Sequence, residues 1–142
     1  MAALTYCSNI HPGESWVDVM HNLESHALEV QSLVTQKGAR QQPFPLGLRL
    51  SHQAASEMDQ AAIDRFRAWC EEHDFYLLTI NGFPYGTFHD QPVKEHVYLP
   101  DWRQVERVSY TKRLGDLATQ MQPDARTLSI STVPVAFKRG FQ

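Results

Sequence analysis

Asn9, Arg49, Asn81 and Ser131 are polar residues at or just past the ends of short apolar runs, and their chemistry is that of a small-molecule site. An amide such as Asn9 or Asn81 presents a donor and an acceptor together, which suits a hydroxylated ligand. Arg49 interrupts Leu46-Gly47-Leu48-Arg49-Leu50, and a guanidinium grips a carboxylate or phosphate through two parallel hydrogen bonds. Ser131 can donate to a ligand, but no base stands beside it to make it a nucleophile. His11 and His89 are the candidate acid/base groups, because imidazole changes charge near neutral pH. Lys94 is a candidate anion-binding group, and Tyr85 a candidate wall for a sugar pocket.

Each of these residues also has a plainer reading. His11 can hydrogen-bond the turn at Pro12-Gly13, and Arg49 can be held in an internal salt bridge with a carboxylate from a part of the fold beyond this chain, since an unpaired buried charge is costly. Asn81 precedes Gly82 and can serve a turn through its tolerance of positive φ. Tyr85, with Phe83 and Phe88, can pack a loop onto the rim of the fold, and Lys94 can be solvated. His89 and His96 lack helical i,i+4 spacing and have no Cys or Glu at zinc-like distance, so no self-contained metal site is expected. His21, His26, His52 and His73 read as structural or solvent-facing.

The elements that must position these groups are set by hydrophobic periodicity. Leu4 to Cys7 is a short strand (about residues 3–7), followed by a loop through Pro12-Gly13. Ser15 can cap a helix whose first turn carries Asp18 and whose inner face is Trp16, Met20, Leu23, Ala27, Val30 and Val34. Lys37-Gly38 ends it. A second strand spans 46–50, and Ser51 can cap the next helix. Residues 53–73 are helical in two pieces broken near Asp59, with Ile63, Phe66, Trp69 and Cys70 inward. A third strand spans 75–80, and a loop of about twenty residues, 81–101, comes after it. Connections that long are usually lids or binding loops. Asp101 reads as the cap of a helix with Val105, Val108, Leu114, Leu117 and Met121 inside. A fourth strand spans 127–131.

This β-α-β-α-β-α-β order implies right-handed crossovers and a parallel α/β sheet. Parallel strands need cover on both faces or closure into a barrel. A (β/α)8 TIM barrel takes about 250 residues, so the 142 residues read as one incomplete domain, the N-terminal half of such a barrel, truncated after strand four. An open four-stranded sheet is the alternative.

Composition narrows the function classes. Hydrophobic residues make up 42% and charged residues 20% of the chain, both globular values. The net charge of -3 is spread over both signs, which argues against a nucleic-acid partner. No apolar run approaches the roughly 20 residues that cross a bilayer, so no membrane insertion is expected. The N-terminus lacks a secretory pattern, so a cytoplasmic setting is expected. Cys7 and Cys70 form no paired motif and read as reduced, buried thiols.

Four separated blocks carry a family resemblance. Leu4-Thr5-Tyr6-Cys7-Ser8-Asn9-Ile10-His11-Pro12-Gly13-Glu14 resembles the opening of the metabolite-traffic protein EboE family. Gly47-Leu48-Arg49-Leu50-Ser51 resembles its second strand and helix cap. The run from Thr79 to Gly86, then Phe88-His89, Val93-Lys94-Glu95 and Val97 to Arg103, is similar to its most distinctive segment. Leu128 to Pro134 with Ala136-Phe137-Lys138 resembles its fourth strand and loop. The resemblance implies a TIM barrel of the xylose isomerase-like, sugar-phosphate isomerase/epimerase-like type, handling a small polyol or sugar-derived secondary metabolite. It also implies other proteins of the same operon as partners. A divalent metal belongs to that superfamily, with its carboxylate ligands on later strands than those present here. A non-catalytic metabolite carrier, or a stand-alone α/β unit that dimerises through strand four, are the competing expectations.

Overall fold

A computed structural model describes residues 5–38, 43–87, 96–124 and 126–137. Its framework is one sheet of four parallel strands in the order β1-β2-β3-β4, namely Tyr6–Cys7, Phe44–Arg49, Phe75–Asn81 and Ser129–Ser131. The alternating α/β order and the parallel pairing agree with the sequence reading. β2 begins two residues earlier than expected, and β4 is three residues long.

The helices start where short side chains can satisfy orphan amides. Ser15 caps α1 (Trp16–Asn22) in a reciprocal capping box with Asp18. α1 runs through a π-helical turn, Leu23–Ala27, into α2 (Leu28–Gln36). That wide turn shifts the apolar stripe, so Trp16, Met20, Leu23 and Ala27 are buried whereas Val30 and Val34 are half-exposed. Ser51 caps α3 (His52–Glu57), and Asp59 caps α4 (Gln60–His73), giving the break expected near Asp59. α5 is Val105–Met121.

One face of the sheet and the inner sides of these helices form the core. Leu46, Leu48, Leu77 and Ile80 point into it with Phe66, Tyr110, Leu114 and Leu117, all 0–1% exposed. Burying an aliphatic side chain of this size contributes about 2 kcal/mol, so this layer is the main source of stability.

Three local expectations need correction. Asp101 does not cap α5. Its carboxylate accepts from the backbone and guanidinium of Arg103, while Gln104 occupies the cap position without a side-chain capping bond, its Oε1 accepting the Asp101 N–H instead. Val105 is 69% exposed and Val108 half-buried, and their place inside is taken by Arg107 and Tyr110. The inner stripe of α5 is therefore rotated, because a buried arginine reads as polar in any periodicity count. Asn81 serves no left-handed turn. It is the last residue of β3, and Asp74 is the one non-glycine residue with positive φ among those described.

Gly82 matters through close approach. Its N–H donates to the Ser131 carbonyl at 3.1 Å, and a Cβ there would meet Leu114 Cδ1 at 2.6 Å and Ser131 O at 2.9 Å. The chain leaves β3 through a gap that only glycine fits.

Candidate functional site

The sheet face opposite the helices is polar, and its residues fall into two cross-strand rows. Cys7, Gly47, Thr79 and Ser129 are in register in one row. Arg49, Asn81 and Ser131 form the next, at the carboxyl ends of three neighbouring strands. A bulge between Leu46 and Gly47 on β2 and Leu77 and Thr79 on β3 turns Leu77 away from this face and leaves Thr79, two residues before Asn81, paired with Gly47. Bulges re-aim side chains in this way and are common beside sites.

Side-chain hydrogen bonds link β3 to β4 along both rows. Ser129 Oγ donates to Thr79 Oγ1 at 2.9 Å, and Thr79 Oγ1 donates to the Ser129 carbonyl at 3.2 Å. Ser131 Oγ donates to Asn81 Oδ1 at 3.0 Å, and the same oxygen accepts the Phe83 N–H at 3.1 Å. Because a backbone N–H can only donate, this second contact fixes which end of the amide faces it. Ser129 and Ser131 are exposed, and Thr79 and Asn81 half-buried.

Arg49 is 4% exposed and heavily engaged. Its Nη2 donates to both Glu14 carboxylate oxygens at 3.0 Å and to the Gly86 carbonyl at 2.8 Å, and Nη1 donates to the Gly13 carbonyl at 3.1 Å. The Arg49 N–H donates to Ser8 Oγ, and Ser51 Oγ donates to the Glu14 carbonyl. Arg49 does form an internal salt bridge, but its partner is Glu14 in the loop after β1 rather than a carboxylate from beyond this chain. Burial of the ion pair is offset by these added bonds, and the result is a clamp joining the loops after β1 and β3 to the end of β2.

The remaining predicted residues divide. Asn9 stands half-buried in the 3-10 turn Ser8–Ile10 after β1, next to the Ser8 contact with Arg49. His11 is turned toward the helices. It is hydrogen-bonded to the Tyr6 hydroxyl and stacked on His26 with ring centroids 4.2 Å apart. A cavity of about 10 Å³ separates it from Arg49. Burial pushes the Tyr6 phenol up to about 12. Tyr85 packs in a ring cluster, stacked on His52 at 4.6 Å and edge-on to Tyr110 at 5.1 Å, and burial raises its pKa. It therefore fixes its loop to α3 and α5. His89, Lys94 and Phe88 lie outside the described residues. Cys70 is buried, and its thiol is pushed up to about 12 by desolvation, whereas Cys7 is only half-buried.

Several contributors escaped sequence reasoning. Thr79 and Ser129 lie two residues before Asn81 and Ser131, a spacing that strand alternation alone could have used. Arg107 carried no such signal. It is 0% exposed and donates to the carbonyls of Pro100 at 2.7 Å, Gly82 at 2.9 Å and Phe83 at 3.2 Å. Burial lowers its pKa. It ties α5 to the start of the long loop, whose far end is pinned by Trp102 Nε1 donating to the Val133 carbonyl.

A cleft of about 430 Å³ opens at the opposite end of the sheet, where Phe75, Tyr76, Met121 and Arg126 line it. Parallel α/β folds place ligand chemistry at the carboxyl ends of the strands, where the two polar rows run, so volume and chemistry point to different ends. We favour the rows because they converge donors and acceptors. Among the described residues no three His, Cys, Asp or Glu side chains gather to hold a metal ion, and no helix is long and apolar enough to cross a membrane. No family model, curated protein or solved structure matches the chain.

Proposed function

We propose that this chain is a portion of an EboE-like metabolite protein, and that its polar rows are the site of an isomerase/epimerase-like barrel for a small polyol or sugar-derived metabolite. The observation that carries this reading is the row Arg49–Asn81–Ser131 at the carboxyl ends of adjacent parallel strands. Parallel strands in sequential order with helices packed over one face are what one arc of a (β/α)8 barrel requires, and barrel sites stand at the carboxyl ends of its strands. Hydroxyl and amide groups in register suit a chain of ligand hydroxyls.

In this reading Asn81, Ser131 and Ser129 orient the hydroxylated carbons. The Glu14–Arg49 clamp holds the loops that frame them. His89, the acid/base candidate of the sequence reading, and Lys94 lie outside the described residues. The superfamily's divalent metal is not fitted by the described residues of the two rows, which offer hydroxyls, an amide and a thiol where such ions take carboxylate oxygens.

A second reading, a non-catalytic carrier using the same pocket, is favoured by one observation. Neither row contains a carboxylate or imidazole, and His11 is held on the helical side. The experiment that separates the two tracks xylose, xylulose, ribose and ribulose by NMR with the protein and added Mg²⁺ or Mn²⁺. Aldose–ketose interconversion or epimerisation supports the enzyme. Ligand-induced shifts without conversion support the carrier. Neither shifts nor conversion with any of the four pentoses overturns both.

A further inference from the structure

Hydrogen-bond direction at the two rows specifies the ligand more narrowly than their composition does. We infer that the site selects neutral, hydrogen-donating ligands and discriminates against phosphorylated or carboxylated ones; this rests on the polyol reading above.

The donor inventory is the reason. Thr79 spends its hydroxyl proton on the Ser129 carbonyl, and Ser129 spends its own on Thr79 Oγ1. Ser131 spends its proton on Asn81 Oδ1, an oxygen held in place by the Phe83 N–H. What these groups still offer a ligand is the lone pairs of Ser129 and Ser131 and the Asn81 Nδ2 amine, which has no partner among the described residues. Two acceptors beside one two-proton donor match ligand O–H groups, each of which both gives and takes a hydrogen bond. A phosphate or carboxylate only accepts. It can take the Asn81 NH₂ protons, but to engage either serine it would have to break the Ser–Thr or Ser–Asn bond and turn that proton outward.

Among the described residues, positive charge near the rows does not compensate. Arg49 is neutralised by Glu14 and held by two carbonyls. Arg103 is paired with Asp101 at 2.6 Å. Arg107 is sealed in the core on three carbonyls. The guanidinium that sequence alone nominated for an anion is thus the reason an anion is not favoured: its charge holds the loops instead of reaching the ligand.

The test is a titration of the isotope-labelled chain with xylitol and D-glucose, and with xylitol 5-phosphate and glucose 6-phosphate, reading the Asn81 side-chain NH₂ resonances. The neutral ligands are expected to shift that pair and their monophosphates to bind no more tightly. Asn81→Ala and Ser131→Ala are each expected to weaken the neutral ligands by about fivefold to tenfold, the worth of one hydrogen bond. Amide spectra of both variants verify that they fold, and Ser131→Thr, which keeps the hydroxyl, should retain binding. A monophosphate that binds about tenfold more tightly than its parent overturns this inference and leaves the polyol reading standing. No shift with any of the four overturns the polyol reading itself, and this inference with it.

Discussion

Arg107 Nη1 lies 2.9 Å from the carbonyl oxygen of Gly82, joining the protein's longest described helix to the residue where the chain leaves β3. The guanidinium is fully buried and spans three loop carbonyls. Its rigid fork is what allows one side chain to satisfy groups on both sides of the long loop.

Arg107→Ala is therefore expected to cost about 3 kcal/mol, since it strands buried carbonyls as well as opening a cavity. Arg107→Lys should recover part of this, because an ammonium can reach only some of the three oxygens. Urea unfolding monitored by circular dichroism measures both. A loss below about 1 kcal/mol for the alanine variant would refute the clamp.

Two glycines separate close approach from helix propensity. Gly82→Ala must push aside Leu114 Cδ1 and the Ser131 carbonyl, and overpacking of this kind costs about 1–3 kcal/mol. Gly115 lies inside α5, and a Cβ added there would meet nothing within 4 Å. Gly115→Ala is expected to stabilise by about 0.5–1 kcal/mol. Opposite shifts in the thermal midpoint are the expected result.

Stability should fall at both pH extremes, for different groups. The Asp101 carboxyl is held below the usual range, first by hydrogen bonds from Arg103, and the Asp18 carboxyl first by the Ser15 side chain. Depressed carboxylates bind fewer protons in the folded chain than in the unfolded one. Their contribution is present above an ordinary carboxylate pKa of about 4 and is lost as pH falls through the folded values. Tyr6 runs the other way. Its pKa is raised from 10.0 to about 12, so its contribution is complete below 10.0 and disappears as pH climbs toward 12. Denaturation midpoints measured across pH should show both limbs, with Asp101→Asn flattening the acid one and Tyr6→Phe the alkaline one.

Strand and helix placement was largely legible in the residues themselves. Ser15, Ser51 and Asp59 announce three helix starts by chemistry that acts within a few residues, and the alternation at Leu48-Arg49-Leu50 announces which way Arg49 points. The helical periodicity of α5 misled where Arg107 occupies a core position, because a count of apolar residues cannot credit a cation whose carbonyl partners lie in a distant loop.

What sequence settled alone was local: which segments are strands, that Ser15 and Ser51 cap, and that polar groups cluster at strand ends. What required the folded chain was pairing over distance. The bulge after Leu77 decided that Leu77 turns into the core and that Thr79 pairs with Gly47. The neighbouring strand decided that Ser129 and Ser131 meet Thr79 and Asn81, and Glu14 decided that Arg49 serves the loops rather than a ligand. Those last pairings join residues 35 or more positions apart, and capping and periodicity act over only a few.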